Sequence, residues 1–313
     1  MAKYFNIIQI ALIASIFLCT VVQLPNNRVH AESDPVEYWA VIIGVADYQY
    51  FESPPLFPKP AKGYDLLYSD DDAINLADQL GSIWGTDHIK LLVDSQANKA
   101  GIQNAITNWL DPKEEANDVV LFYFSGHGQQ DSSGEYTIWP SNTSISSNEN
   151  EIQSAMLGSW LRCLESSQQI VIIDSCNSGG FIKELFYYGR VILASCCQDE
   201  DSYEKRILGH SIFTNFFLDA FNNLIDVDAN NDNSISIQEV FNWVELKTTS
   251  FAKSQFLSQN PKMSSTNNTQ IRLMDLVRYN RQVTHYITLF ITFFAISFSL
   301  ITWNRYLSLV KKS

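Results

Sequence analysis

Two apolar runs in the middle of the chain end in groups capable of nucleophilic chemistry. Val119-Val-Leu-Phe-Tyr-Phe124 leads into Ser125-Gly-His-Gly128, and Gln169-Ile-Val-Ile-Ile173 leads into Asp174-Ser-Cys176. A thiol attacks well only as thiolate; an imidazole within reach takes its proton and can later protonate a leaving amine. His127 and Cys176 are 49 positions apart (127 to 176), so only the fold can join them. Neighbouring parallel strands would do so, because ligands bind outside the carboxyl ends of such strands. Gly128 lets its N–H approach a substrate, and with the N–H of Cys176 it would form an oxyanion hole. Taken singly, a His in a polar loop and a Cys buried as a small hydrophobe are ordinary structural residues. The shared setting, an apolar strand end flanked by Gly and small polar residues, points to chemistry.

The elements needed to position this pair are readable. Tyr38–Gly44, His88–Val93, Val119–Phe124, Gln169–Ile173 and Gly189–Ala194 read as apolar strands. Helical spacing of apolar residues marks Asp70–Leu80, Lys99–Leu110, Met156–Leu164, His210–Leu224 and Gln238–Leu246. Strands that are apolar throughout and alternate with helices predict a mostly parallel sheet of about six strands, covered on both faces. Residues 247–283 are polar and weakly patterned, and read as a stalk or closing segment.

Phe-Ser-Gly-His-Gly and Asp-Ser-Cys-Asn-Ser-Gly-Gly resemble the His and Cys motifs of metacaspases and related caspase-like peptidases of the legumain–caspase clan. The spacing of the two motifs also fits, since caspases place the His about 50 residues before the Cys. Tyr68-Ser-Asp-Asp-Asp-Ala73, Ala194-Ser-Cys-Cys-Gln-Asp-Glu-Asp-Ser202 and Gly209-His-Ser-Ile-Phe-Thr214 resemble further segments of that family, so the likeness covers about residues 38–245. It implies a caspase-like three-layer α/β sandwich and a cysteine endopeptidase acting on protein or peptide substrates. In this clan the residue two before the Cys lines the primary substrate pocket; it is Gln in caspases, which cleave after Asp. Here it is Asp174, and resemblance to metacaspases adds Asp72 and Ser125 to the same pocket. Carboxylates there favour Arg or Lys and repel acidic side chains. Legumains also carry an acidic residue yet prefer Asn, which stays open, as does a turn-capping role for Asp174. Two other readings stand beside an endopeptidase: acyl transfer like that of the GPI transamidase, and a catalytically silent binding module.

Acidic residues outnumber basic ones by 34 to 21, which argues against a nucleic-acid partner. The five cysteines do not form a disulfide framework. Residues 1–31 read as a signal peptide: Lys3, an apolar run from Ile7 to Leu18, and Val29-His30-Ala31 before the cleavage point. An uncleaved anchor is the other reading. Tyr286 to Trp303 spans 18 uncharged residues with aromatics at both ends, close to the ~20 that cross a bilayer. Residues 284–304 therefore read as a transmembrane helix, 305–313 as a cytoplasmic tail, and the peptidase domain as extracytoplasmic on a single-pass membrane protein. Asn142-Thr-Ser and Asn267-Asn-Thr match glycosylation acceptors.

The chemistry needs no cofactor, but one segment has the spacing of a calcium loop. From Asp228 to Glu239, inside residues 226–240, Asp228, Asn230, Asp232, Ser234 and Glu239 take the ligand positions of a 12-residue EF-hand loop. Asn233 stands where Gly is usual, and Asn tolerates a positive φ. An Asx-rich turn between two helices is the alternative. Metacaspase-style calcium sites use acidic residues elsewhere. Asp199 matches one, but Ser141, Asn142, Glu149 and Asn150 stand where acidic pairs are expected.

Overall fold

The computed structural model describes residues 35–49, 65–144, 149–264 and 270–276, together with Phe293 and Ser297. The expected signal segment and the membrane span, apart from those last two residues, lie outside this range. Among the described residues no helix is long and apolar enough to cross a membrane.

The first half runs β1 (Tyr38–Gly44), α1 (Ser69–Trp84), β2 (Ile89–Val93), α2 (Lys99–Asn104, prolonged by a π turn over Ala105–Leu110) and β3 (Val119–Ser125). Three short strands follow, β4 (Gly128–Gln130), β5 (Tyr136–Ile138) and β6 (Ile152–Gln153), which form a small antiparallel sheet; then come α3 (Ser154–Leu161) and β7 (Gln168–Asp174). The second half continues with α4 (Phe181–Glu184), β8 (Arg190–Ala194), a two-stranded β9 (Glu204–Lys205) and β10 (His210–Ser211), α5 (Ile212–Asn222) and α6 (Leu224–Val227). It closes with β11 (Ser234–Ser236), α7 (Ile237–Ser254), β12 (Lys262–Met263) and β13 (Arg272–Asp275).

The main sheet has the order β12-β8-β7-β3-β1-β2, parallel except for the edge strand β12. Strand side chains alternate between faces, so each strand feeds two cores. Ala40, Ile42, Leu121, Tyr123, Ile170, Ile172, Val191 and Leu193 pack with α1, α5 and α7. Val41, Ile43, Val120, Phe122, Phe124, Val171, Ile173 and Ile192 pack with α2, α3 and α4. Burial on both faces is why β3 and β7 read as unbroken apolar runs. Each fully buried aliphatic or Phe side chain contributes roughly 1.5–3 kcal/mol. The chain steps outward from β1 in both directions, to β2 and to β3, which opens a crevice at their carboxyl ends.

After residue 246, residues 247–264 and 270–276 belong to the fold. Helix α7 runs on to Ser254, with Thr248 and Ala252 buried, and β12 completes the sheet edge on β8. Small and polar residues on the buried face concealed this continuation from an apolar-spacing reading. The expected helix from His210 begins instead as a strand pair, because Ser211 caps α5 by accepting from Thr214 N.

Candidate active site

The register of the central strands pairs Ser125 with Asp174 at the carboxyl ends of β3 and β7. His127 and Cys176 each follow two residues later, so the two sequence motifs leave the sheet side by side. Gly126 N donates to Asp174 O at 3.2 Å, tying the turns together. Gly128 is required by close approach: a Cβ there would collide with Ser175 Oγ and lie 3.0 Å from the Cys176 carbonyl oxygen. The His127 backbone N–H donates to Tyr48 Oη at 2.7 Å, and its ring lies 5.0 Å from the Tyr48 ring and 5.4 Å from Trp139. Tyr48 follows β1, so three strand ends contribute to this corner.

The Cys176 thiol donates to Ser202 O at 3.8 Å. Burial pushes the thiol up to about 11, and the nearby Asp201 and Asp174 carboxylates push in the same direction. At neutral pH the resting group is therefore a thiol, and a base must take its proton before attack.

Below this rim lies a buried polar cluster. Alternation along β3 and β7 puts Ser125 and Asp174 on the face of Tyr123 and Ile172, under the N-terminal ends of α1 and α5. Gly44 lets α1 approach β1, since a Cβ there would collide with the Ser69 carbonyl, and this brings Asp72 inward. Asp72 Oδ1 pairs with His210 Nδ1 at 2.7 Å, and its Oδ2 accepts from Ser125 Oγ at 3.2 Å. Asp174 accepts from Ser202 Oγ at 2.7 Å, from the Ser211 hydroxyl, and from Thr214 Oγ1 at 2.7 Å. Burial raises Asp72 to about 7 despite the His210 contact, with Asp174 adding to the rise; His210 is raised in turn by Asp72. Ser211 N also donates to Asp72 at 3.3 Å, so Ser211 links Asp72 and Ser125 to Asp174 in one hydrogen-bonded network.

Sequence reasoning missed His210, Ser211, Thr214 and Ser202 as members of this cluster. Ser211 with Thr214 three residues on is a helix-cap signal, and a hydroxyl that caps α5 is thereby held beside Asp174. Gln259 was also missed. It is buried, and its amide donates to Ser195 O and Ser202 Oγ while accepting from Tyr203 N. Glu200 anchors the same loop: against the opposing effect of burial, hydrogen bonds from Ser258, Cys197 and Asn260 hold it at about 2. The loop from 195 to 203 is thus fastened from the segment after α7, which sequence spacing alone does not reveal.

Asp228, Asn230 and Asp232 lie in the turn after α6, Ser234 opens β11 and Glu239 is in the first turn of α7, all away from this network in the chain. Asp228 accepts from Asp232 N and Asn233 N, and Asp232 accepts from Ser234 N and Oγ. Glu239 Oε2 turns to Ser236 N and Oγ in a capping box. Among the described residues no group of three His, Cys, Asp or Glu side chains is arranged to hold a metal ion in this structure.

The fold resembles the crystal structure of protein GSU0716 from Geobacter sulfurreducens, with a TM-score of 0.53 and 14% identity over 75% of this chain and 97% of that one. Metacaspase-1 of Plasmodium falciparum (isolate 3D7) is 26% identical over 142 residues, which is 40% of this chain. The match spans only 23% of that relative's length. The family model for the caspase domain (peptidase C14) matches residues 37–271, so the chain belongs to the caspase-domain family of cysteine-type endopeptidases.

Proposed function

We propose that this chain is a cysteine endopeptidase that uses His127 and Cys176 and cleaves after Arg or Lys. The observation that carries this reading is the Ser125–Asp174 register, from which the imidazole and the thiol each follow two residues on. His127 takes the proton of the Cys176 thiol as sulfur attacks the scissile carbonyl. The N–H groups of Gly128 and Cys176 donate to the oxyanion. His127 then protonates the leaving amine, and water hydrolyses the acyl-enzyme with His127 again as base. The substrate's basic side chain enters beside Asp72, Ser125 and Asp174. A guanidinium or ammonium group brings its own donors to carboxylates whose present partners are four hydroxyls, the Ser211 N–H and one imidazole. The same reading tethers the domain at the outer face of a membrane through residues 284–304, on the strength of 18 uncharged residues bounded by Tyr286 and Trp303.

The test is a panel of fluorogenic peptides with Arg, Lys, Asn or Asp before the scissile bond, given to the full chain and to Cys176→Ala. Cleavage after Arg or Lys that falls by about a thousandfold or more in the variant is the expected result. Cleavage after Asn would keep the enzyme and discard the pocket assignment. Absence of any Cys176-dependent cleavage would overturn the activity. Release of the chain from membranes by alkaline carbonate would overturn the tether.

A further inference from the structure

We propose that the loop from Asp228 to Glu239 is a calcium site, separate from the peptidase chemistry and completed by β13. The observation that points to a ligand is a carboxylate oxygen. Glu239 is 8% exposed, its Oε2 caps Ser236, and its Oε1 is buried with no hydrogen-bond partner. A buried anionic oxygen without a donor costs the full desolvation of that group unless something positive meets it. Glu239 is residue twelve counted from Asp228, the position that supplies both oxygens to calcium in an EF-hand.

The rest of the loop agrees with that count. Residue six must take a positive φ for the sharp turn, and Asn233 has φ 62°. Residues one, three and five are Asp228, Asn230 and Asp232, all with side-chain oxygens facing backbone N–H groups of the same turn. Residue seven, Ser234, contributes a main-chain carbonyl in this scheme. Residue nine, Ser236, caps the exiting helix α7. Asp228, Asp232 and Glu239 bring three carboxylates to one loop; they are not gathered around a common point in this structure, so a bound dication draws them together.

A lone EF-hand lacks the partner loop whose short strand normally pairs with residues seven to nine. Here the chain supplies that strand itself. β11 pairs antiparallel with β13, with Ile235 opposite Met274, and Leu276 N donates to Asn233 O at 2.9 Å. Ile235 and Met274 are both buried in the core under α5 and α7. Loop and strand therefore form one preorganised unit, which reduces the ordering that an ion would otherwise have to impose.

The test uses the full chain in detergent, carrying Cys176→Ala so that self-cleavage cannot contribute. Calcium is titrated by calorimetry and thermal unfolding is followed with calcium, magnesium or chelator. One calcium per chain is expected, with Kd at or below about 1 mM. Calcium at a hundredfold excess over Kd raises Tm by roughly 5 °C, and magnesium does much less. Glu239→Gln keeps a cap acceptor and lowers affinity at least tenfold; Asp232→Asn, at an exposed side chain, does the same should the first variant fold poorly. No saturable calcium binding up to about 10 mM overturns the proposal, as does binding that survives both substitutions.

Discussion

Two of the places where the protein buries acidic groups treat them differently. At the carboxyl edge of the sheet, Asp72 and Asp174 are 0% and 3% exposed, and every carboxylate oxygen there has a donor. In the first turn of α7, Glu239 is nearly as sequestered, yet one of its oxygens has none. The donors at the sheet edge are hydroxyls, the Ser211 N–H and a single imidazole. Such a site suits an organic cation that arrives with several N–H donors of its own. The turn offers oxygens and an orphan lone pair, which suits a bare ion. Ligand class is thus written less in the number of carboxylates than in what already hydrogen-bonds to them.

The sharpest way to break the contrast is at Asp174. In Asp174→Asn the amide oxygen can keep the Ser211 and Thr214 hydroxyls while the Ser202 hydroxyl turns to accept from the amide NH2, so the hydrogen bonds can be conserved. The charge is lost, and leaving a buried cation unpaired costs about 3–5 kcal/mol. The expected result is a fall of kcat/KM for Arg peptides by a hundredfold or more, with unchanged alkylation of Cys176 by iodoacetamide. Undiminished Arg cleavage would make Asp174 a turn cap and remove the organic-cation half of the comparison.

A smaller effect concerns protons. Asp72 sits at about 7 in the folded chain against an ordinary 3.8, because burial disfavours its charge. His210 is raised as well, by that carboxylate. Both shifts mean that the folded state binds more protons than the unfolded one. The stability they contribute is complete below about pH 4 for the carboxyl and below about 6.5 for the imidazole, and is lost as pH rises through the folded values. Unfolding of Cys176→Ala should therefore show stability declining from pH 5 to 8, by at most about 1.4 kcal/mol per pH unit for each proton. Adding Asp72→Asn removes the carboxyl and the cause of the His210 shift together, and should flatten that decline. An identical slope in both proteins would show that the pair is not the titrating element.

How much of this the sequence reveals depends on whether neighbours along the chain or across it carry the information. The parallel sheet, and the places of His127 and Cys176 just after two of its strands, are legible because each depends on a local run: an unbroken apolar strand, then a short turn of Gly and small polar residues. The positive-φ turn at Asn233 is legible for the same reason, since it depends on a short run of consecutive Asp and Asn residues. His210 escapes notice because its partner Asp72 is 138 residues away in sequence, and its own surroundings read as the start of a helix. Gln259 escapes for a similar reason: its contacts with Ser195, Ser202 and Tyr203 exist only once the chain beyond α7 folds back beside β8. The contribution of β13 is equally non-local. Asp275 and Ser234 are opposed only in the folded chain, and a four-residue strand has too few positions to declare its period.

The smallest expected effect tests whether the turn is preorganised, and it needs no calcium. Asn233 holds φ 62°, where an ordinary L side chain costs about 1–2 kcal/mol and Asn costs less because its amide can bond locally. Asn233→Ala should lower Tm by a few degrees in chelator. Asn233→Gly gains conformational ease in the fold but also gains freedom when unfolded, worth roughly 0.5–1 kcal/mol in the opposite direction. The two contributions nearly cancel, so Tm should stay within about 2 °C. A turn that is held open for an ion by its own backbone makes this ordering, Gly near wild type and Ala below both. If Ala matches wild type, the positive φ is not a feature of the apo protein. Calcium binding would then have to order the loop, and the contrast with the prebuilt pocket would widen.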